Sequence, residues 1–196
     1  MALPSSVGRT SSPKRRFKRI LQPLGSTFVA IDFETADRSR DSACAVSAVS
    51  VVDGEVASVY TTLIRPPEAD PGAGDFEFTY IHGITPSTVR NSPSFDEIAG
   101  HLLPMLQEAP FIAAHNASFD SSVIGALCNR YGREVPLTPW LCTVRLARKT
   151  WHLPKCGLGE VSQFLGVSLN HHEAESDARA CAAIVVAALS LKSPID

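Results

Sequence analysis

The sequence contains no long apolar segment. Its longest uninterrupted apolar run is the ten residues from Ala180 to Leu189, whereas a helix that crosses a bilayer needs about 20 residues. The first residues also lack the apolar core of a secretory signal. These absences exclude a membrane-spanning helix and a secretory signal, and they predict a soluble protein with no membrane partner.

Cysteine pairs are also missing. The five cysteines are dispersed and none belongs to a C-x-x-C pair, which is typical of reduced thiols in a reducing compartment. We therefore expect a cytoplasmic protein, with nucleoid association as an alternative. Cys142, His152 and Cys156 lie close in sequence, but their spacing matches no standard zinc finger and a convincing fourth ligand is missing. Zinc binding by these three residues is therefore disfavoured.

Acidic residues are absent from residues 1–20, which hold six of the 18 basic residues. The remaining 12 basic residues are outnumbered by 20 acidic ones, so the rest of the chain has a net charge of −8. A body this acidic is not a general polyanion binder, and any nucleic-acid site must be local or screened by bound cations. We expect residues 1–25 to form a basic, disordered tail and residues 26–196 to form a single domain. A DNA-binding arm and a targeting segment are the alternatives for the tail.

Three strands are predicted at the start of the ordered chain. Thr27–Phe33 is a short apolar run rich in β-formers, which favours a buried strand. Cys44–Val52 and Glu55–Ile64 flank Asp53-Gly54, and Asp-Gly between two apolar runs is typical of a hairpin. A loop rich in proline and glycine follows from Arg65 to Gly74.

Strands and helices alternate in the rest of the chain. The order predicts an α/β fold with a mixed five-stranded sheet, three antiparallel strands and then parallel ones, flanked by helices. Thr85-Pro86 is typical of a helix start. Ser94 and Glu97 form a capping box that opens a helix to about Gln107, where Pro104 predicts a kink or an early break. The later predicted strands are Phe111–Ala114 and Trp140–Thr143, and the later predicted helices are Ser118–Tyr131, Arg145–Trp151, Gly159–Leu165 and Ala174–Leu191.

Acidic residues recur where strands end or helices begin. Asp32 and Glu34 are two apart on a predicted strand, so both lie on one face, and carboxylates there can bind hard divalent cations. The spacing alone is not specific, because Asp75-Phe76-Glu77 repeats the same tripeptide in a loop, where exposed acids are common. Asp120 and Asp177 fall in the first turns of helices, where an acid also complements the helix dipole.

The combined pattern resembles the DEDDh branch of the DnaQ-like 3′–5′ exonucleases, which includes the proofreading epsilon subunit of bacterial DNA polymerase III. The three family motifs are D-x-E-T, H-N-A-x-F-D and H-x-A-x-x-D-A. They match Asp32–Thr35, His115–Asp120 and His172–Ala178, and an I-H-G-I-T segment matches Ile81–Thr85. The match extends in order from Thr27 to Leu189.

The histidine that defines the branch lies five residues before the last aspartate, which is His172 here. The sister branch has tyrosine four residues before that aspartate, and this chain has Glu173 there. His171 is adjacent, but the spacing to Ala174 and Ala178 sets the register on His172.

The resemblance implies a ribonuclease H-like fold and a two-metal mechanism with two Mg²⁺ ions, for which Mn²⁺ can substitute. Asp32, Glu34 and Asp177 would share the metal that presents the attacking water. Asp32 and Asp120 would hold the metal that faces the leaving 3′ oxygen. His172 would be the general base, and the product would be a nucleoside 5′-monophosphate released from a 3′ end.

The resemblance also implies contacts to the terminal nucleotide. Thr35 would meet the 3′ hydroxyl, Ile81, His82 and Gly83 would wall the nucleotide, and Phe119 would pack near it. For Ile81 and Phe119 an ordinary core position is the alternative. His115 and Asn116 are expected to orient the strand–helix junction rather than contact the substrate. One departure from the family pattern is Ser47, where a glycine is expected after the apolar residue.

The function that follows is metal-dependent 3′–5′ hydrolysis of DNA, on single strands or frayed 3′ ends. An RNA-trimming exoribonuclease and a polymerase-associated proofreading subunit are the alternatives within the class. A catalytically inactive interaction module is disfavoured because no acid and no histidine of the motifs is missing. The short segment after the last helix favours a stand-alone repair or turnover enzyme, or at least a different mode of attachment to a polymerase, with protein partners unknown.

Overall fold

Five strands form one mixed sheet in the computed structural model, which describes residues 25–67 and 74–191. The strands are β1 (Phe28–Thr35), β2 (Ala43–Val52), β3 (Glu55–Leu63), β4 (Ile112–Ala114) and β5 (Trp140–Cys142). Their order across the sheet is β3-β2-β1-β4-β5. β2 is antiparallel to β1 and β3, whereas β4 is parallel to β1 and β5. The predicted α/β sheet, three antiparallel strands and then parallel ones, is confirmed.

The predicted hairpin at Asp53-Gly54 joins β2 to β3. Both residues have positive φ, 51° for Asp53 and 87° for Gly54. Positive φ at both central positions gives the turn the same twist as the flanking strands, and glycine adopts it without strain. The turn fixes the register that places Val52 opposite Glu55.

Seven helices lie within the described residues. They are α1 (Thr79–His82), α2 (Pro86–Val89), α3 (Phe95–Glu108), α4 (Ser118–Arg130), α5 (Thr143–Trp151), α6 (Leu158–Leu165) and α7 (Ala174–Ser190). The sequence predicted the starts of α2 and α3, where the side chains of Thr85 and Ser94 cap the first turns. It did not predict α1.

Helices pack on both faces of the sheet because alternate residues of β1 point to opposite sides. Val29, Ile31 and Phe33 join a core cluster with α3 and α4. Phe28 and Ala30 join a second cluster with α5, α6 and α7. The same alternation directs Asp32 and Glu34 toward the side of α7.

The predicted break at Pro104 is wrong, because α3 continues through this residue to Glu108. Proline lacks the N–H that would bond the carbonyl of the residue four positions earlier, here Gly100. Both Pro104 and Gly100 are exposed. Water can therefore reach the free carbonyl, and the buried face of Leu102, Leu103 and Leu106 holds the helix on the core.

Ser47 occupies the β2 position where the family pattern predicts glycine. It pairs in register with Asp32, is fully buried, and its hydroxyl lies 2.9 Å from Thr61 Oγ1. The strand accommodates a side chain here because the hydroxyl has a partner on β3.

The predicted basic tail, residues 1–25, lies outside the described residues except for Gly25. Within residues 25–67 and 74–191, no helix combines the length and the apolar character needed to cross a bilayer.

Candidate active site

The acidic residues of the motifs meet at the carboxyl end of β1. Asp32 and Glu34 share one face of this strand, and Asp177 lies in the first turn of α7, which packs on that face. Carboxylate oxygens of these three residues all lie within 4.8 Å of one another. Asp120, in the first turn of α4, is 1% exposed and accepts a hydrogen bond of 3.2 Å from the Phe33 backbone N–H. Four carboxylates thus converge from three elements that are far apart in sequence.

Burial and mutual repulsion raise the pKa values of this group. The pKa of Asp32 is raised well above its usual value, first by burial and then by the charges of Asp120, Glu34 and Asp177. Burial, with repulsion from Asp177 and Asp120, raises the pKa of Glu34 to about 8. Burial raises the pKa of Asp120 to about 7, although backbone hydrogen bonds act in the opposite direction. Carboxyls that resist ionisation together are stabilised as anions by a divalent cation.

Asp177 provides a direct test of whether the donor set fits such a cation. Its side chain is buried, and its Oδ1 atom has no hydrogen-bond partner among the described residues. A buried carboxylate oxygen without a partner is costly unless it binds a ligand. Together with Asp32 and Glu34, this oxygen offers the hard oxygen ligands that Mg²⁺ and Mn²⁺ prefer. The residues therefore fit a divalent metal.

Two histidines precede α7 and approach Asp177 in different ways. His171 Nδ1 lies 2.9 Å from Asp177 Oδ2, whereas His172 donates its backbone N–H to the same oxygen at 3.1 Å. The two imidazole rings stack with centroids 3.9 Å apart, and His172 has a φ of 69°. Both rings border the same cleft. The ring that contacts Asp177 is thus that of His171, and the imidazole of His172 is left exposed toward the cleft.

A cleft of about 340 Å³ extends from the four acids. Its walls contain the acids together with most of the predicted substrate contacts, namely Thr35, Ile81, His82 and Phe119. Ile81 is 38% exposed, so it is not an ordinary core residue. Phe119 is half-buried and contacts both the core and the cleft. Gly83 is not one of the residues that line the cleft, and it ends α1 with a φ of 74°.

His82 connects α1 to the end of β1. Its Nδ1 accepts a hydrogen bond of 3.0 Å from the Ile84 backbone N–H. Nε2 therefore carries the proton and donates to the Thr35 carbonyl at 3.1 Å. Burial lowers the pKa of His82, which keeps the ring neutral. The side chain fixes the wall of the cleft relative to Thr35.

His115 lies at the junction of β4 and α4, where the sequence predicted an orienting residue. Its Nδ1 atom is 2.9 Å from the hydroxyl of Thr143, the first residue of α5. Burial lowers the pKa of His115 to about 4, so the ring is neutral at neutral pH. Asn116 also borders the cleft and has a φ of 72°.

Some residues around the cleft had no signal in the sequence. The Arg40 guanidinium lies 4.5 Å from the ring centroid of Phe119, and its charge lowers the pKa of Asp120. Phe78 and Leu158 also line the cleft. Arg40 belongs to the loop between β1 and β2, where no periodicity indicates the direction of a side chain.

The second Asp-Phe-Glu copy lies apart from this site. Asp75 and Glu77 are exposed in a loop, and Glu77 forms an ion pair of 2.8 Å with Arg38. Cys142, His152 and Cys156 do not belong to either of the groups of metal-ligating side chains that the described residues form. The expectation that the second Asp-Phe-Glu copy is an exposed loop segment is confirmed.

Comparisons with known proteins give the same family as the motifs. The RNase_T exonuclease family model matches residues 29–185. The chain is 32% identical over 162 residues to a PolC-type DNA polymerase III of Clostridium perfringens, covering 81% of this chain but only 11% of that protein. It is 28% identical over 180 residues to the DNA polymerase III subunit epsilon of Aquifex aeolicus, covering 90% and 86% of the two chains. The chain therefore spans about a tenth of one relative and most of the other.

A solved structure of the nuclease domain of 3′hExo, a DEDDh family member bound to rAMP, superimposes with a TM-score of 0.70. The identity is 15%, and the match covers 84% of this chain and 92% of that one. At this identity the likeness concerns the fold, which agrees with the ribonuclease H-like architecture predicted from the sequence. The recognition from three short motifs is confirmed, and the chain belongs to the exonuclease family.

Proposed function

We propose that this protein is a metal-dependent 3′–5′ exonuclease that hydrolyses the terminal phosphodiester bond of DNA and releases nucleoside 5′-monophosphates. The observation that supports this most directly is the convergence of Asp32, Glu34 and Asp177 within 4.8 Å at the bottom of a cleft. Buried acids packed so closely repel one another, which destabilises the fold unless a cation offsets their charge.

In this proposal Asp32, Glu34, Asp120 and Asp177 hold two Mg²⁺ ions, with Mn²⁺ as a substitute. When bound, such ions act as Lewis acids that stabilise the attacking and leaving oxygens of an in-line displacement. Asp32 lies close enough to the other three acids for their charges to raise its pKa, and it would contribute a ligand to both ions. The buried position of Asp120 and its bond from Phe33 N–H hold its carboxylate toward β1.

His172 takes the proton of the attacking water in this proposal. Its imidazole faces the cleft, and a positioned base of this kind contributes about 10²–10⁴-fold to rate. Thr35 contacts the terminal 3′ hydroxyl, and Ile81, His82 and Phe119 enclose the last nucleotide. Gly83 acts indirectly, since it ends α1 and thereby sets the direction of Ile81 and His82.

DNA is favoured over RNA because the relatives named above are DNA polymerase III proteins. The alternative is an exoribonuclease, and it has support from the fold neighbour that is bound to rAMP. Whether DNA or RNA is the better substrate depends on whether the cleft can accommodate the 2′ hydroxyl of RNA. Association with a polymerase is a further alternative within the same chemistry.

The experiment is a time course on single-stranded DNA and RNA labelled at either end, with Mg²⁺, with Mn²⁺ and with chelator. We expect labelled mononucleotide at once from the 3′-labelled DNA, a ladder from the 5′-labelled DNA, slower hydrolysis of RNA and none with chelator. Mononucleotide released first from the 5′ end would contradict the polarity. Activity that survives the chelator would contradict the metal dependence.

A matched pair of variants tests the site itself. Asp32→Asn is expected to reduce kcat by at least about 10³-fold, because a bridging carboxylate is lost from the metal site. Asp75→Asn changes the same tripeptide in the exposed loop and is expected to leave kcat within about twofold. Equal effects of the two substitutions would contradict the assignment of the acids.

A further inference from the structure

Basic residues outside the tail are unevenly distributed. Between residues 135 and 159 the sequence contains no aspartate or glutamate and four basic residues, Arg145, Arg148, Lys149 and Lys155. The rest of the chain beyond residue 20 is strongly acidic, since its net charge is −8 even with these four included. This segment comprises β5, α5 and the loop to α6. Positive charge is therefore concentrated on one part of an acidic molecule.

On α5 the charges share one face. Arg145, Arg148 and Lys149 are spaced i, i+3 and i+4, the interval that places side chains on the same side of a helix. All three are exposed, whereas Thr143, Leu146 and Ala147 on the other side are buried. Lys155 is exposed in the loop that follows. We refer to Arg145, Arg148, Lys149 and Lys155 as the basic face.

Elsewhere on the described surface, arginines are commonly paired with acids. Arg130 pairs with Asp41, Arg133 with Asp96 and Arg179 with Glu175, at 2.7–2.8 Å. Arg145, Arg148 and Lys155 have no carboxylate within ion-pair distance among the described residues. On α5, the unpaired charges of Arg145 and Arg148 lie three residues apart on one face and repel each other, so the stability of the fold does not explain them.

The segment that carries the basic face approaches the cleft at both of its ends. Thr143 begins α5 and its hydroxyl lies 2.9 Å from His115, which lines the cleft. After the loop that contains Lys155, the chain returns to the cleft at Leu158. Nine residues of helix extend about 13 Å, which is long enough to lie along more than one phosphate of a bound strand.

We propose that the basic face binds the sugar–phosphate backbone of the strand whose 3′ end occupies the cleft. This inference rests on the proposed function and names the surface that holds the rest of the substrate. The charges of Arg145, Arg148 and Lys155, which have no acidic partner among the described residues, match a polymer of regularly spaced phosphates, and each contact releases counterions. Because the chain beyond residue 20 has a net charge of −8 and repels nucleic acid, a local positive surface would favour binding of the strand.

The test uses the double variant Arg145→Gln/Arg148→Gln and a control with the same charge loss, Arg65→Gln/Arg133→Gln. The control pair contacts Glu97 and Asp96 at the start of α3, on the other face of the sheet. KM and kcat are measured for a dinucleotide and for a strand of about 12 nucleotides, over a range of KCl concentrations. Melting temperatures verify that each variant is folded.

For the long strand, we expect the KM of the α5 double variant to rise about tenfold with little change in kcat, because two phosphate contacts are lost. The slope of log KM against log salt is expected to fall by about 1.4, or 0.7 per contact. The dinucleotide ends within the cleft, so its KM is expected to rise less than twofold. Arg145→Lys/Arg148→Lys is expected to recover most of the affinity, because a lysine also neutralises a phosphate.

An unchanged KM for the long strand would overturn the proposal, as would an equal rise for the dinucleotide or in the control variant. These results are distinct from a failure of the proposed function. In that case the wild-type protein would hydrolyse neither substrate with Mg²⁺ or Mn²⁺.

Discussion

The two oxygens of Asp177 have different surroundings. Oδ2 accepts the His172 backbone N–H and lies 2.9 Å from His171 Nδ1. Oδ1 is buried without a hydrogen-bond partner among the described residues. The loop before α7 thus holds one oxygen in place and leaves the other for a ligand. In the proposed function, this arrangement would give the two adjacent histidines different roles: His171 would position Asp177 as a metal ligand, and His172 would act as the base in the cleft.

This separation predicts different kinetics for two substitutions. His172→Ala is expected to lower kcat by about 10²–10⁴-fold at saturating Mg²⁺, because the base is lost. His171→Ala is expected to raise the Mg²⁺ concentration needed for half-maximal rate by about 10–100-fold, because the orienting contact to Asp177 is lost. Both are measured by titrating Mg²⁺ against initial rate. If His171→Ala gave the larger loss of kcat at saturating metal, the register of the motif would shift by one residue.

Among the elements, α3 contains a proline where a helix interior normally excludes it. Pro104 is exposed and its ring contributes nothing to the buried face. Pro104→Ala restores an N–H that can bond the Gly100 carbonyl, and alanine is the strongest helix former.

We therefore expect this substitution to stabilise the protein by about 1–2 kcal/mol, less than the full difference of about 3 kcal/mol between proline and alanine in a helix. The gain is reduced because alanine leaves the unfolded chain more freedom. Urea unfolding measures it, with Gln107→Ala on the same exposed face as a control expected to change stability by less than about 0.5 kcal/mol. A loss of stability in the Pro104 variant would show that the proline is needed for the path of the helix.

The elements that the sequence predicts are those with local signals. Period-two alternation placed Asp32 and Glu34 on one face of β1, and the Ser94 capping box located the start of α3. The break considered at Pro104 was wrong, because local chemistry alone gives no account of the buried leucines that hold α3 on the core. The contact of Arg40 with Phe119 and that of His171 with Asp177 depend on loop conformation, with a positive φ at His172. No spacing rule indicates such contacts, so the sequence could not predict them.

For the whole molecule, the charge distribution and the site are related. Acids are concentrated both on the surface and at the end of β1, and in the absence of metal this site destabilises the fold. Glu34 has a pKa of about 8 and Asp120 of about 7 in the folded protein, against ordinary values of 4.5 and 3.8. Around neutral pH the folded state therefore binds more protons than the unfolded state, and raising the pH favours unfolding.

The metal-free protein is accordingly expected to lose stability between pH 7 and pH 8.5. Below this interval, histidines with lowered pKa values such as His115 act in the opposite direction, because the unfolded chain takes up their protons. Within it they are largely neutral in both states, and the raised carboxyls dominate. For each extra proton that the folded state binds relative to the unfolded state, the free energy of unfolding falls by about 1.4 kcal/mol per pH unit. The melting temperature in chelator should therefore fall by about 3 °C or more.

Saturating Mg²⁺ should raise the melting temperature more at pH 8.5 than at pH 7, since metal and protons compete for the same oxygens. Glu34→Gln removes one of the carboxyl groups that lose a proton in this interval, so it should reduce the fall in melting temperature with pH in chelator. Glu77→Gln in the exposed loop should leave that fall unchanged. A melting temperature in chelator that rises with pH across this interval would contradict the buried acid cluster. If Mg²⁺ raised the melting temperature equally at both pH values, the ion would bind elsewhere. Protons compete with the metal at pH 7 only where the ligands are still protonated, and this competition makes the stabilisation by metal depend on pH.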